Sequence, residues 1–276
     1  CKNIIVERIK QIGEILYLRI RFQFDFIYFM NWFEIFVWIW ITIPIIIFPI
    51  LLKTRVPYGR HVTSGWGPMI DNHWSWFWME VPALLTFPLL AIFGPTEKDT
   101  LSWILIALWS VHYMNRVLIF PFRIKTKNKK MPLIISISAI FFNLVNGFVN
   151  GYYIGFVNGN SGALFGFMTI IGLIVFFTGF TINQIADSKL ITLRKQDQGY
   201  QIPLGWLFNY ISCPNHFGEI VEWVGFALVA RNPAAISFAV WTFCNLTPRA
   251  NNHHSWYKEQ FPEYPKDRKV VLPFLW

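Results

Sequence analysis

The sequence predicts an all-α, polytopic membrane protein with about seven transmembrane helices in one bundle. Three observations carry that prediction. The 276 residues are 54% hydrophobic and only 14% charged, well below the roughly 25% charged usage of soluble domains. The apolar residues fall into blocks of about 17 to 24, long enough to cross a hydrocarbon core at the 1.5 Å rise of a helix. These blocks lack the alternation a barrel strand needs, and backbone in lipid must be satisfied inside a helix or a closed barrel. Helices remain.

The first 30 residues carry Ile5, Ile9, Ile12 and Leu16 at helical spacing with charges between them. They read as an amphipathic extension lying on the membrane, and not as a signal peptide. Residues 31–276 form the transmembrane domain. Its spans are expected at 32–52, 73–93, 101–122, 132–155, 163–186, 218–230 and 234–247, the last two short enough to tilt or to form a close hairpin. Pro44, Pro49, Pro82 and Pro88 lie inside or near the ends of spans and predict kinks, since bundle neighbours re-satisfy the freed carbonyls.

A net charge of +9 on a soluble chain would suggest nucleic acid, but here its distribution follows membrane topology. The loop after span one holds Lys53, Arg55 and Arg60, that after span three Arg123, Lys125, Lys127, Lys129 and Lys130, and that after span five Lys189, Arg194 and Lys195. The C-terminal tail adds Arg249, Lys258, Lys266, Arg268 and Lys269. The loops after spans two, four and six hold only Lys98 and Arg231. The positive-inside rule therefore puts the odd loops and the C-terminus in the cytoplasm. Lys2, Arg8, Lys10, Arg19 and Arg21 at the N-terminus run against this and are outweighed. Cys1, Cys213 and Cys244 show neither a disulfide framework nor a zinc spacing, and no metal site is expected.

Ionisable groups inside a span are costly and mark function by default. Glu80 lies nine residues beyond the first cytoplasmic loop, roughly 14 Å down span two. Span three runs the other way and carries His112, Tyr113 and Arg116, with Tyr113 roughly 15 Å deep. A carboxyl and a phenol at matched depth on neighbouring antiparallel helices can hydrogen-bond one polar group of an apolar ligand. The plainer alternative is a structural ion pair between Glu80 and Arg116.

Further sets stack on single helix faces at cytoplasmic helix ends. These are Asn183 with Asp187, then Asn215, Glu219 and Glu222, then Arg249, His253 and Tyr257. Taken singly, each is more often a cap or an interfacial anchor. Together they form a polar vestibule above Glu80 and Tyr113. With Lys130, Arg194 and Arg249 at its rim, the vestibule suits a nucleotide phosphate chain. No Gly-x-Gly-x-x-Gly or Walker A run appears, so a nucleotide must bind between helices. Trp66, Trp74 and Trp78 read as interfacial belt residues. Trp76, one turn from Glu80, is the exception.

"WFWMEVPA" around Glu80, "VHYMNR" around Tyr113 and "GFTINQIADSKLITLRK" around Asn183 and Asp187 occur in the order found in the steroid 5α-reductases. So do "NHFGEIVEWVGFAL" from Asn215 and "RANNHHSWYKEQFPEYPKDRKVVLPFLW" from Arg249. The chain resembles that family, the 3-oxo-5α-steroid 4-dehydrogenases, from about Tyr58 to Trp276. The resemblance implies a seven-helix enzyme of the bacterial inner membrane or endoplasmic reticulum. Such an enzyme takes hydride from NADPH to reduce the 4,5 double bond of a 3-keto-4-ene steroid. Carried over by position, Glu80 and Tyr113 hold the substrate's ketone oxygen. The cofactor shell comprises Tyr58, Trp76, Asn183, Asp187, Arg194, Tyr200, Asn215, Glu219, Arg249, His253 and Tyr257, and Lys130 joins it on charge alone. The partners implied are a steroid-like lipid, NADPH and the bilayer, with no nucleic acid.

Two departures stand out. Met79 occupies the place before Glu80 where family members carry Gln, and the loop "FRIKTKNKKMP" is longer and more basic than the family's Arg-Gly-rich equivalent. The chemistry implied puts negative charge on the ketone oxygen as hydride reaches the β-carbon, so donors must face that atom. Tyr113 is the natural donor, while Glu80, desolvated among Trp76, Phe77 and Trp78, either donates as a neutral acid or holds Tyr113 in place. Three other readings compete: a reductase of an enoyl-CoA or polyprenol, an S-adenosylmethionine-dependent membrane methyltransferase, and a transporter. The last would need polar residues toward both faces and internal repeats, and neither is evident.

Overall fold

The computed structural model describes residues 2–57, 59–63, 65–124, 129–157, 166–195 and 200–276, without the side chains of residues 2–10, 15–31 and 195. Residues 1–40 form one compact unit and residues 41–276 another. Helix α1 is Lys2–Lys53, so the stretch expected as a separate amphipathic helix is continuous with the first span.

In the second unit, α2 (Asn72–Phe93) starts on the Asp71 carboxylate, which accepts from the amides of His73 and Trp74 at 2.9 and 3.0 Å. Such side-chain capping satisfies two of the donors a helix start leaves open. Helix α3 (Thr100–Met114) starts in the same way, with the Asp99 carboxylate accepting from the amide and hydroxyl of Ser102, both at 2.7 Å. It runs through a π-turn, Asn115–Ile119, into the short α4 (Phe120–Arg123). Helix α5 (Leu133–Tyr152) also ends in a π-turn, Tyr153–Val157.

Helix α6 (Phe167–Lys195) is followed by α7 (Pro214–Ala230) and α8 (Pro233–Gln260). Arg231 in the left-handed conformation turns α7 into α8, and the Asn232 side chain caps α8 by accepting from the Ala235 amide at 2.8 Å. The sheet content among the described residues is one antiparallel ribbon, β1 (Met69–Asp71) with β2 (Lys130–Pro132), pairing Asp71 with Lys130. It ties the basic loop to the start of α2.

Among the described residues, five stretches are long and apolar enough to cross a membrane: Trp32–Lys53, Asn72–Phe93, Thr100–Arg123, Leu133–Val157 and Phe167–Arg194. The sixth and seventh predicted spans lie in α7, which has 17 residues, and in the more polar α8, whose 28 residues continue well past residue 247. The chain is an all-α, multi-pass membrane protein, as the sequence predicts.

Close packing holds the second unit together. A Cβ on Gly179 would meet the Glu222 nitrogen at 2.2 Å, one on Gly225 the Phe176 nitrogen at 2.3 Å, and one on Gly218 the Asn183 nitrogen at 2.5 Å. Helices α6 and α7 therefore touch backbone to backbone, the contact that small residues permit in lipid. Beside them Trp109, wholly buried, stacks on Phe87 at 4.3 Å and donates its indole N–H to the Ala83 carbonyl at 2.9 Å. Trp223, Phe226 and Phe238 close around it. This aromatic floor lies directly under the candidate site.

Candidate functional site

A cavity of about 490 Å³ opens within residues 44–253 of the second unit. It is lined by Glu80, Tyr113, Trp76, Lys130, Asn183, Asp187, Arg194, Tyr200, Asn215, Glu219, Arg249 and His253, all singled out from the sequence. Tyr58 lies outside the described residues. Tyr257 does not line the cavity; its buried ring packs under the Arg60 guanidinium at 4.7 Å and stacks on Tyr264 at 5.4 Å. The site thus draws on α2, α3, α5, α6, α7 and α8, together with the loops between them.

At the apolar end, Tyr113 is 3% exposed and is braced by Trp109 at 5.0 Å and Trp223 at 6.0 Å between ring centroids. Glu80 faces the same space without a hydrogen bond to Tyr113 among the described residues. Its Oε2 accepts from Asn143 Nδ2 at 3.2 Å, and the same amide donates to the Met79 carbonyl at 2.6 Å. Its Oε1 lies 3.8 Å from Arg116, whose other nitrogen lies 3.7 Å from Asp187. Arg116 sits on the π-turn, where the extra residue re-aims side chains, and its guanidinium lies over Phe120 at 4.5 Å. It therefore makes the Glu80 contact of the plainer reading and a second one with Asp187.

At the other end the polar sets meet. Asn183 donates to the Asn215 carbonyl at 3.0 Å and lies 3.5 Å from Glu219, across the tight α6–α7 contact. His253 and His61 share a hydrogen bond of 3.1 Å between Nδ1 and Nε2, with their rings stacked at 5.0 Å. Burial, with the Arg60 and Arg55 charges nearby, pushes the His61 imidazole down to about 4. Burial, Arg60 and the neighbouring histidines hold His253 far below its ordinary range. Both rings are neutral at pH 7. The Arg60 guanidinium is caged by Tyr200, Trp256 and Tyr257 at 4.5 to 4.8 Å, and together with Lys129, Lys130, Arg194 and Arg249 it makes this end basic.

Sequence reasoning passed over Asn143, Arg60, His61 and His216, of which all but His61 line the cavity. Asn143 carries no charge and so escaped a search for ionisable groups in spans. Arg60 was counted toward topology, where it is one cation among several.

The family described as 3-oxo-5-alpha-steroid 4-dehydrogenase matches residues 129–276. The steroid 5-alpha-reductase DET2 of Solanum lycopersicum is 40% identical over 225 residues, covering 80% of this chain and 88% of that protein. Its counterpart in Arabidopsis thaliana is 38% identical, with coverage of 82% and 90%. The 3-oxo-5-alpha-steroid 4-dehydrogenase 1 of Bos taurus is 40% identical, also with 82% and 90%. With the family matched over more than half the chain, and relatives this similar over most of it, the chain belongs to the 3-oxo-5-alpha-steroid 4-dehydrogenases, a family of oxidoreductases.

Proposed function

We propose that this protein uses NADPH to reduce the 4,5 double bond of a 3-keto-4-ene steroid, with Glu80 and Tyr113 at the ketone oxygen. The observation that carries this reading is a single cavity with an acid and a phenol at its apolar end and cations at its mouth. The steroid class follows the activity for which the relatives are named.

The residues at the mouth fit a dinucleotide. Arg60 Nη1 is buried, belongs to a cavity-lining residue and has no hydrogen-bond partner among the described residues, an arrangement that suits an acceptor oxygen arriving with a ligand. Arg60, Lys130, Arg194 and Arg249 would take the phosphates, and Asn183, Asn215 and Glu219 the polar groups deeper in. When bound, the dinucleotide supplies the hydride.

Everything else falls to the protein. Tyr113 O–H donates to the ketone oxygen and stabilises the charge that develops there, in a site whose aromatic walls exclude water. Asn143 and Arg116 fix the Glu80 carboxyl against the same oxygen, and the Trp109 floor holds Tyr113 at that point. In this reading residues 31–276 are the reductase domain, residues 1–30 an amphipathic extension, and the cavity mouth and C-terminus face the cytoplasm.

The test is NADPH oxidation by detergent-solubilised protein supplied with testosterone or progesterone. Glu80→Gln should keep NADPH's protection against heat and lose most of the turnover, about 100-fold or more. Arg249→Ala should instead raise the apparent KM for NADPH. Heat protection by NADPH without turnover of either steroid would move the substrate to another enone or enoyl lipid. No protection at all would contradict NADPH as the cofactor.

A further inference from the structure

Saturating a carbon–carbon double bond takes a hydride on one carbon and a proton on its neighbour, and the residues assigned above account only for the ketone oxygen and the cofactor. We propose that the buried pair His112–Glu222 delivers that proton to the α-carbon, an inference that rests on the reductase reading. His112 immediately precedes Tyr113 on α3, is 4% exposed and lines the same cavity. Its Nδ1 lies 2.8 Å from Glu222 Oε1 on α7. Nε2 is the ring atom left for the cavity, and no hydrogen bond to it occurs among the described residues. The α-carbon of an enone is two bonds from the ketone oxygen, so a donor whose ring centroid lies 5.0 Å from that of Tyr113 is suitably placed.

Glu222 is the unusual member. It is wholly buried, its Oε2 has no hydrogen-bond partner among the described residues, and Arg116 makes its ion-pair contacts with Glu80 and Asp187 instead. A lone buried carboxylate is costly. A pair that is neutral overall avoids the cost, with Glu222 protonated and donating to Nδ1 while Nε2 carries its own proton toward the cavity. The backbone contact of Gly179 with the Glu222 nitrogen fixes the carboxyl behind the ring, much as an orienting acid fixes a catalytic histidine.

The step balances. Hydride has formed the new bond at the β-carbon, and the displaced π electrons lie in an enolate whose oxygen faces Tyr113. The enolate's electron pair takes the proton from Nε2, forming the α-carbon–hydrogen bond as the Nε2–H bond breaks. Nδ1 takes the Glu222 proton in the same movement. The pair is left as neutral imidazole and carboxylate, and water returns one proton before the next turnover.

The experiment compares kcat, KM and two isotope effects, one from NADPH deuterated at the transferred position and one from D2O, in the unmodified protein and in Glu222→Gln. Gln keeps the size and one hydrogen bond of the Glu side chain, so a merely structural strut would tolerate it. A proton relay would not: kcat should fall at least about 100-fold while both KM values stay within a few-fold. Protonation should then limit the rate, so the deuterated-NADPH effect disappears and the D2O effect grows. His112→Gln gives the same readout should Glu222→Gln fail to fold, as judged by heat protection with NADPH.

A folded variant with unchanged kcat overturns the proposal, as does a slowed one whose two isotope effects match those of the unmodified protein. An unmodified chain that reduces no enone sinks the reductase reading and the pair's role with it. An active chain with an indifferent Glu222 sinks the pair's role alone.

Discussion

Asn143 shows how one neutral side chain can decide the use of a charged one. Its amide bridges the Met79 carbonyl and the Glu80 carboxyl, from the helix opposite the one that carries both. Met79 itself carries no amide, so the one that approaches Glu80 comes from α5. Removing it in Asn143→Ala forfeits a hydrogen bond to an ionisable group, ~1.5 kcal/mol, or about tenfold in rate. The loss should appear in steroid turnover, with the KM for NADPH unchanged; a variant impaired only in NADPH binding would contradict this placement.

A second expectation concerns pH. The His61 imidazole is held down to about 4 by burial and by Arg60 and Arg55, against Glu259, which pairs with Arg55 and pulls the other way. The unfolded chain therefore binds its proton first as pH falls. Stability contributed by neutral His61 is complete above about 6.5 and is lost toward 4. Thermal unfolding of His61→Gln should be less sensitive to acidification across that window than the unmodified protein, and an equal sensitivity would contradict the assignment.

Among the elements, the α6–α7 contact controls the site most directly, because Asn183 and Asp187 sit on one helix and Asn215, Glu219 and Glu222 on the other. Gly179→Leu must push apart backbones that already leave only 2.2 Å for a Cβ, and overpacking of this kind costs about 1–3 kcal/mol or more. It should abolish heat protection by NADPH. Gly13→Ala, where nothing lies within 4 Å, should change neither stability nor activity. Helix identity was readable because apolar blocks of membrane length allow little else. The π-turns at Asn115–Ile119 and Tyr153–Val157 and the β1–β2 ribbon were not, since each depends on contacts from other parts of the chain and has no periodicity of its own. The continuity of α1 through residue 30 escaped for a related reason: charged residues interrupt the apolar run without interrupting the helix.

For the whole molecule, the convergence of Glu80 and Tyr113 was legible from helix direction and depth, two quantities fixed once the spans and the positive-inside rule are set. The vestibule was legible as sets of residues three or four apart, and all of these but Glu222 and Tyr257 line one cavity. The aromatic cage around Arg60 was not, because Tyr200, Trp256 and Tyr257 meet it only through tertiary folding. The central claim is that hydride passes from the dinucleotide to the β-carbon of a 3-keto-4-ene steroid. Its most direct measurement is the mass of the product formed by solubilised protein from progesterone with NADPH deuterated at the transferred position. The account predicts a saturated ketone with one deuterium at the β-carbon and none when unlabelled NADPH is used, and formation abolished in Tyr113→Phe. A saturated product without that label, or one made equally well by Tyr113→Phe, would contradict it.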